Sequence, residues 1–375
     1  MLRMMLEYVE PGMKLARDIY NVDGRTILAA GATITERHLD VLKKWGVMSV
    51  YIHNPLIDLP PVDEVLAESA RLKASSTIRE TFLKVEQKGL YQISREQRAI
   101  VDAVIEAVFN KRLSIIHLAQ IHRHHDNLFV HSINVSVLAT MTAVAYGINN
   151  MQDLISLALG SVLHDIGMIA FPKNMATKSG LMNADEFAVF QTHTSLGFEL
   201  LRKSQELPLT ACHIALQHHE KFNGKGFPRG LAGSDIHLLS RIVSIANDYE
   251  NLVADQPGKP AIAPHHAYER IVAEVNVSYD PDIAKAFLSR IALYPIGTLV
   301  RLTSGSIGIV ADVTSKAQHR PIVKVLAEAE GSLLPNPYIL DLTAQDNLTV
   351  FIDEVVSDAV AVNFLKKNVS TPPDE

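Results

Sequence analysis

Cysteine is nearly absent from this chain, which has one cysteine in 375 residues. A disulfide framework within the chain is therefore excluded, and a reducing compartment is the expected setting. Cys212 lies in the apolar run Leu209–Leu216. It is expected to be a small buried hydrophobic residue and not a catalytic thiol.

Positive charge is also scarce: 35 lysines and arginines stand against 41 acidic residues, for a net charge of −6. This balance argues against a nonspecific nucleic-acid binder, which normally carries a basic face. A small anionic ligand remains compatible with it, because a bound metal supplies positive charge locally.

The chain has no uninterrupted apolar run of about 18 residues, so no insertion into a membrane is expected. Its first residues are too soon interrupted by acids to form a signal peptide. We therefore expect a cytoplasmic protein.

Residues 1–55 are predicted to form a small α/β domain. Strands are expected at Lys14–Tyr20, Thr26–Ala29 and Met48–Ile52, and a helix runs from the cap Thr35 to Trp45. Residues 56–114 are expected to be a linker and helical connection. The linker, His53–Asp63, holds three prolines.

Residues 115–294 are predicted to form a helical domain, and the fold class is therefore mainly α. Apolar residues at spacings of three and four indicate the helices. In this domain and in the helical connection before it, they are expected at Val65–Lys88, Arg95–Ala119, Phe129–Tyr146, Met151–Leu163, Ala184–Leu201, Pro208–Glu220, Ser234–Val253, Pro264–Val275 and Pro281–Leu293.

Residues 295–355 are predicted to form a small β module, followed by a tail at 356–375. Three segments rich in β-branched residues and separated by turn residues indicate its strands, at Thr298–Thr303, Ile307–Val313 and Ile322–Leu326.

Seven residues of metal-ligating type are spread over the helical domain. Intervals of 25 to 33 residues separate their positions, about one helix plus one connection, so neighbouring helices could aim them at one point. Imidazole and carboxylate suit Fe, Mn, Zn or Ni. The seven are His131, His164, Asp165, His193, His218, His219 and Asp248.

Two of these sites are adjacent pairs, His164-Asp165 and His218-His219. Neighbouring side chains on a helix point about 100° apart, so both can serve one centre only beside two ions or at a helix end. Eight further histidines show no such pattern, and surface or local roles are expected for them. These are His117, His122, His124, His125, His213, His237, His265 and His266.

The order and spacing of these residues resemble the HD-GYP family of HD phosphohydrolases. The matching stretches are His164–Gly167, His193, His218–Glu220, Asn223–Pro228, Arg241-Ile242 and Asp248. The resemblance implies an HD-type helical bundle core, with the α/β unit before it and the β module after it. It also implies hydrolysis of cyclic di-GMP.

Carried over residue by residue, the resemblance implies that all seven residues bind two divalent metal ions, iron or alternatively manganese. Asp165 would bridge the two ions, and His164 and Asp165 would be the catalytic pair. A bridging hydroxide would attack phosphorus and open the ring. The expected product is linear pGpG.

Some positions depart from the family pattern. The lysine that usually follows the His-Asp-x-Gly motif is Met168, and the tyrosine of Gly-Tyr-Pro is Phe227. Asn127 and Asn251 stand where some members place acidic ligands of a third metal, so two ions are expected. The usual arginine after the last aspartate is missing, and that stretch offers only Lys259.

Candidate substrate contacts are Lys225, Arg229 and Arg241. In the alternative interpretation, Lys225 and Arg229 are solvated loop charges and Arg241 belongs to a structural ion pair. The loop Gly226-Phe227-Pro228 is a candidate contact for other signalling proteins.

Three functions stay open at this point. The first is an active cyclic di-GMP phosphodiesterase. The second is a weakly active or inactive relative that binds cyclic dinucleotides or other proteins, which Met168 favours. The third is an HD phosphohydrolase acting on another nucleotide, which the Gly-Phe-Pro loop disfavours.

Overall fold

The computed structural model describes most of the chain. The residues described are 2–21, 23–47, 49–54, 57, 59, 64–89, 91–111, 127–172, 182–254, 261–314, 317–329 and 331–357. Four of the histidines expected to have local roles (His117, His122, His124 and His125), Lys259 and nearly all of the expected tail lie outside these residues.

The middle of the chain is helical, as expected. Its α-helices are α2 (Glu68–Lys88), α3 (Arg95–Asn110), α4 (Asn127–Tyr146), α5 (Met151–Leu163), α6 (Ala184–Leu201), α7 (Leu209–Gln217), α8 (Leu238–Val253), α9 (Pro264–Ala273) and α10 (Pro281–Leu288).

Side chains at the helix starts explain several of these boundaries. Ser94 and Asn183 each form a capping box, with Gln97 and Glu186 respectively. Asp280 accepts hydrogen bonds from the first backbone N–H groups of α10. Such caps satisfy N–H groups that have no partner inside the helix.

The observed bounds of α5 and α6 are those predicted, whereas α7 and α10 end earlier than predicted. Ile291 and Ala292, which extended the apolar pattern of α10, are buried beyond the helix end. Periodicity reports burial, and buried residues in a following turn continue the pattern without continuing the helix.

Helices α4 and α5 form the centre of the helical domain. By length and composition, Leu128–Tyr146 and Met151–Ala170 could cross a membrane, but 67% and 72% of these windows are buried inside the protein. Helix α4 packs against α5 and α8, and α5 and α6 both pack against α7. This arrangement brings the ligand-bearing segments together.

Among its described residues, the N-terminal unit contains two antiparallel strand pairs and one α-helix. Strands β1 (Leu2–Met5) and β4 (Ser49–Ile52) pair, as do β2 (Ile19–Tyr20) and β3 (Thr26–Leu28). Helix α1 (Glu36–Lys44) starts at the expected cap, Thr35. The sequence analysis missed β1 and predicted a longer β2, although Lys14 and Leu15 form isolated bridges.

The C-terminal module is one antiparallel sheet with strand order β8-β7-β6-β5-β9. The strands are β5 (Leu299–Leu302), β6 (Ile307–Asp312), β7 (Ile322–Ala327), β8 (Leu333–Asp341) and β9 (Ile352–Val355). The first three were predicted. Strands β8 and β9 were not, because β8 contains two prolines and β9 two acidic residues.

The N-terminal unit and one face of this sheet share a hydrophobic core. Leu15 and Val50 belong to the same buried cluster as Ile309 and Leu326. The other face of the sheet has its own cluster, which includes Val310 and Val325. The fold class is therefore the expected one, a mainly α protein with small modules at each end, and those two modules pack together.

Candidate metal centre

Four helices bring most of the predicted ligands to one place. His131 lies in the second turn of α4, and His193 lies in the middle of α6. His164 and His218 are the residues that follow the last turns of α5 and α7. Both adjacent pairs therefore lie at helix ends, which is one of the two arrangements in which neighbouring side chains can serve one centre.

The chain packs tightly around these helix ends, which explains two glycines of the motifs. A Cβ atom at Gly167 would lie 2.0 Å from the backbone oxygen of His193. A Cβ atom at Gly226 would lie 2.4 Å from the backbone oxygen of His219. Only glycine lets the turn after Asp165 and the loop after His219 approach the ligands this closely.

Backbone carbonyls fix the orientation of three imidazoles. The Nδ1 atoms of His164, His193 and His218 lie 2.7, 2.6 and 3.0 Å from the carbonyl oxygens of Ser161, Phe190 and Ala215. Each Nδ1 therefore donates a proton, and each Nε2 carries a lone pair. Metal-ligating histidines are held in this way through their second nitrogen.

These Nε2 atoms converge on Asp165. Its Oδ2 lies 3.2 Å from His164 Nε2 and 3.9 Å from His131 Nε2. Its Oδ1 lies 3.3 Å from His193 Nε2 and 3.5 Å from His218 Nε2. Each carboxylate oxygen thus faces a different pair of histidines.

Two candidate ligand groups result, and they share Asp165. One holds Asp165, His193, His218 and His219, and the other holds His131, His164 and Asp165. Within each group the ligand atoms lie within 4.8 Å of one another. Six of the seven predicted ligands are therefore brought together.

The donor set fits divalent cations. His131 and His164 approach each other through Nε2 atoms 3.3 Å apart, and so do His193 and His218. Two Nε2 lone pairs facing each other at this distance repel, whereas a cation between them is stabilised by both. Imidazole and carboxylate donors in this number suit iron, manganese or zinc.

Burial sets the protonation states needed for such donors. Burial lowers the pKa of His218 to about 4 and that of His219 well below its usual value. Burial would raise the pKa of Asp165, but His164, His193 and His218 outweigh it and hold that pKa well below its usual range. Neutral imidazoles around an ionised carboxylate are the forms that bind metals.

Asp248 is the predicted ligand that lies in neither group. Its Oδ2 accepts a hydrogen bond of 2.8 Å from the Tyr279 hydroxyl and forms an ion pair with Lys221. Lys221 Nζ also lies 3.3 Å from Ser244 Oγ. The side chain of Asp248 is 25% exposed, whereas the carboxylate that reaches the cluster belongs to Glu250.

Glu250 was not predicted to take part in the site. It is 4% exposed, and its Oε2 contacts His131 Nδ1. Burial would lower the pKa of His131, but Glu250 outweighs it and raises that pKa. The buried residues Val243, Ala246, Glu250 and Val253 share one face of α8. Helical periodicity could therefore have pointed to Glu250 ahead of Asp248.

Aromatic rings surround the group that contains His193 and His219. The Phe227 ring stacks on His219 with centroids 4.5 Å apart, and the Phe190 ring lies 4.7 Å from that of His193. Phe187 meets Phe227 edge-on and is 45% exposed. The sequence analysis identified Phe227 but missed Phe187 and Phe190, whose roles depend on packing.

Glu220 organises the loop that follows the paired histidines. Its carboxylate is buried and accepts hydrogen bonds of 2.8 and 2.9 Å from the backbone N–H groups of Arg229 and Leu231. The loop carries Lys225 and Arg229, which are both exposed. The loop is thereby fixed next to His219, with its cations facing solvent.

Arg241 has a different environment. It forms an ion pair with Asp280, the capping residue of α10, and its side chain is 18% exposed. This is the structural ion pair that the sequence analysis kept as its alternative. Met168 is 7% exposed and its backbone N–H donates to the Asp165 carbonyl. It offers no charge to a phosphate.

The comparisons with known proteins agree with this geometry. Residues 107–283 match the family model of the HD domain, and residues 299–361 match that of a KOW domain associated with HD domains. The centre of this chain is therefore similar to HD domains. The sequence resemblance to HD-GYP proteins is confirmed. The C-terminal sheet matches a KOW domain, which the sequence analysis described only as a β module.

Curated relatives share this region. A cyclic di-GMP phosphodiesterase of Pseudomonas aeruginosa, PA4108, is 30% identical over 65% of this chain and 58% of its own length. A cyclic di-GMP phosphodiesterase of Thermotoga maritima is 26% identical over 60% of both chains. A 3′3′-cGAMP-specific phosphodiesterase 2 of Vibrio cholerae is 32% identical over 42% of this chain and 30% of its own.

The chain spans less than two thirds of the length of these relatives. Among solved structures, this chain is similar to Bd1817, an HDGYP protein from Bdellovibrio bacteriovorus. The TM-score is 0.46 at 19% identity, over 76% of this chain and 98% of that one.

Proposed function

We propose that this protein is a metal-dependent phosphodiesterase that hydrolyses cyclic di-GMP to linear pGpG. The observation that carries the proposal is the placement of Asp165 between two groups of imidazoles, each facing one carboxylate oxygen. Two cations that share one carboxylate form the arrangement used for in-line displacement at phosphorus.

The proposed ligands are the six residues of the two groups, His131, His164, Asp165, His193, His218 and His219. Iron is the proposed metal, with manganese as the alternative. These residues would hold the two ions, which would supply an activated water, the bridging hydroxide that the resemblance implies, and positive charge for a phosphate oxygen. His164 and Asp165 are the proposed catalytic pair, because Asp165 is shared by the two groups and its Oδ2 lies 3.2 Å from His164 Nε2.

The chain's own residues would bind and orient the substrate. The exposed Phe187 ring and the Phe227 ring lie beside the cluster and offer stacking surfaces for a guanine base. Lys225 and Arg229 lie on the fixed loop next to His219 and are the proposed phosphate contacts. Arg241 is not included, because Asp280 already binds it.

The curated relatives support the substrate class. Those from Pseudomonas aeruginosa and Thermotoga maritima act on cyclic di-GMP, and one from Vibrio cholerae is specific for 3′3′-cGAMP. All are cyclic dinucleotides. Cytoplasmic location, and contact with signalling proteins through the Gly226-Phe227-Pro228 loop, belong to this proposal as well.

A second candidate function is binding of cyclic dinucleotides with little turnover. Met168 favours it, because this side chain is uncharged and buried where the family pattern has a lysine. One positive group near the scissile phosphate is then missing. The intact set of metal donors favours the enzyme.

The deciding experiment uses the full chain purified anaerobically and loaded with Fe²⁺ or Mn²⁺. Cyclic di-GMP, cyclic di-AMP and 3′3′-cGAMP are supplied separately, and products are separated by chromatography. We expect cyclic di-GMP to be cleaved and pGpG to accumulate, with two metal ions per chain. Tight binding without cleavage would select the binding function, and preferential cleavage of another dinucleotide would change the substrate.

A further inference from the structure

A line of polar side chains leads from the metal centre to the surface of the N-terminal unit. It starts at His131, whose Nδ1 contacts Glu250 Oε2. Glu250 Oε1 accepts a hydrogen bond of 3.0 Å from Asn134 Nδ2. Asn134 Oδ1 in turn accepts one of 3.4 Å from Arg71 Nη1.

The line continues into the N-terminal unit through Glu64. Arg71 Nη2 lies 3.0 Å from Glu64 Oε2, and Arg17 Nη1 lies 2.8 Å from Glu64 Oε1. The Arg17 guanidinium lies 4.8 Å from the centre of the Tyr51 ring, on strand β4. Each residue along the line thus contacts the next through an atom not used for the previous contact.

The middle of this line is buried. Glu250 is 4% exposed and Arg71 is 7% exposed, and the Glu64 side chain is 9% exposed. Unpaired charges are costly in such surroundings, whereas here cations and carboxylates alternate along the line. A shift of one member would leave its neighbour buried without a partner, so the members hold one another in place.

The line crosses three packed elements of the helical domain. Arg71 belongs to α2, Asn134 to α4 and Glu250 to α8, and α4 packs against both other helices. Asn134 is also one turn after His131 on the same helix. Asn134 therefore fixes Glu250, and Glu250 fixes the ring of His131.

We propose that Glu250, Asn134 and Arg71 are positioning residues for His131, and that Glu64 and Arg17 connect the N-terminal unit to the affinity of the metal centre. The inference rests on the proposed function for the role of His131 as a ligand. An outer carboxylate orients the imidazole, and its loss typically lowers metal affinity about 10–100-fold.

The test measures Mn²⁺ binding to the metal-free full chain, by calorimetry and electron paramagnetic resonance, together with its melting temperature. Asn134→Ala removes the middle link without changing any charge. We expect Mn²⁺ affinity at one of two sites to fall about 10-fold. Thr142→Ala is the matched control, since this buried α4 hydroxyl donates to the Leu138 carbonyl of its own helix. Its Mn²⁺ affinity should stay unchanged.

The far end of the line is tested with Arg17→Gln. Its control is Arg79→Gln, which removes another contact between α2 and the N-terminal unit, with Asp23, outside the line. We expect Arg17→Gln to bind Mn²⁺ more weakly than the wild type, and Arg79→Gln to bind it as the wild type does. Equal Mn²⁺ affinities for both variants and the wild type would overturn the connection to the N-terminal unit.

Glu250→Gln separates positioning from direct ligation. A positioning role predicts two bound ions with one affinity reduced, whereas loss of one ion at saturating Mn²⁺ would overturn it. A fall in melting temperature of Asn134→Ala with unchanged Mn²⁺ affinity would overturn it too. If the wild type binds Mn²⁺ but cleaves no cyclic dinucleotide, the proposed function fails while these affinity comparisons still decide the positioning role.

Discussion

At the scale of single residues, Asp165 is the side chain on which the site depends. It is the member common to both ligand groups, so its removal takes a donor from each. We expect Asp165→Ala to lose bound metal and turnover together, measured by elemental analysis and product formation. Asp346→Ala, in the C-terminal module, is the control and should retain both. Full metal content in Asp165→Ala would refute a shared ligand.

Met168 sets the expected rate. A correctly placed polar group near the reacting phosphate typically contributes on the order of 10²–10³ in rate. Met168→Lys should therefore raise kcat by at least about tenfold, with Met168→Leu as the control for disturbed packing. Because Met168 is buried, circular dichroism should verify that the lysine variant folds. If the Met168→Lys variant is folded and fully metallated but its kcat does not rise, the missing lysine does not limit the rate.

His218 ties the stability of the metal-free protein to pH. Burial lowers its pKa to about 4 from an ordinary 6.5, so the unfolded chain binds the proton more tightly than the folded chain. This contribution to stability is complete above about pH 6.5 and is lost as the pH falls toward 4. It amounts to about 3 kcal/mol.

Urea unfolding of the metal-free protein between pH 4 and 7 measures this effect. The free energy of unfolding should rise with pH in the wild type and rise less steeply in His218→Asn. His266→Asn, which changes an exposed histidine outside the cluster, should follow the wild type. Identical slopes in all three proteins would contradict the assignment.

At the scale of elements, helix ends are the features that form the centre. Helices α5 and α7 both stop where a pair of ligands begins, and the chain then turns sharply. The periodic pattern predicted the end of α5 correctly. It predicted that α7 continues to Glu220, whereas the helix ends at Gln217. The turn at His218 depends on the contact of the following loop with His219, which the pattern does not record.

Gly167 joins two of these elements. An added Cβ atom would meet the His193 backbone at 2.0 Å, and no flexible side chain is there to yield. Gly167→Ala should therefore push α6 away from the end of α5. We expect a loss of about 1–3 kcal/mol in stability and weaker metal binding. Thermal unfolding and Mn²⁺ titration would measure both, and an unchanged melting temperature would contradict the close contact.

At the scale of the whole molecule, the two ends of the chain are packed against each other. Leu326 lies in the cluster shared with the N-terminal unit, while Val325 lies on the opposite face of the same strand. Leu326→Ala should cost about 2–5 kcal/mol and increase amide hydrogen exchange in β1 and β4.

Val325→Ala is the matched control on that strand. It should destabilise the sheet without increasing exchange in the N-terminal strands. Equal exchange in β1 and β4 for the two variants would show that the shared core does not support the N-terminal unit. The division of the chain at residues 55, 114, 294 and 355 stays a prediction.

The sequence alone determined the donor chemistry and most of the helices. Imidazoles and carboxylates at intervals of one helix and one connection predict a metal site. Caps such as Asn183 define helix starts through local hydrogen bonds. These features depend on residue type and on neighbours within a few positions, so they can be deduced without knowing the fold.

Tertiary structure decided what lies next to what. Which carboxylate of α8 reaches the histidine cluster depends on the face of α8 that meets α4. Glu250 lies on that face and Asp248 does not, because each residue along a helix is rotated by about 100° from the one before it. The line from His131 to Arg17 joins residues far apart in the chain, as does the core shared by Leu15 and Leu326. Their contacts arise from packing, and no local pattern in the sequence encodes them.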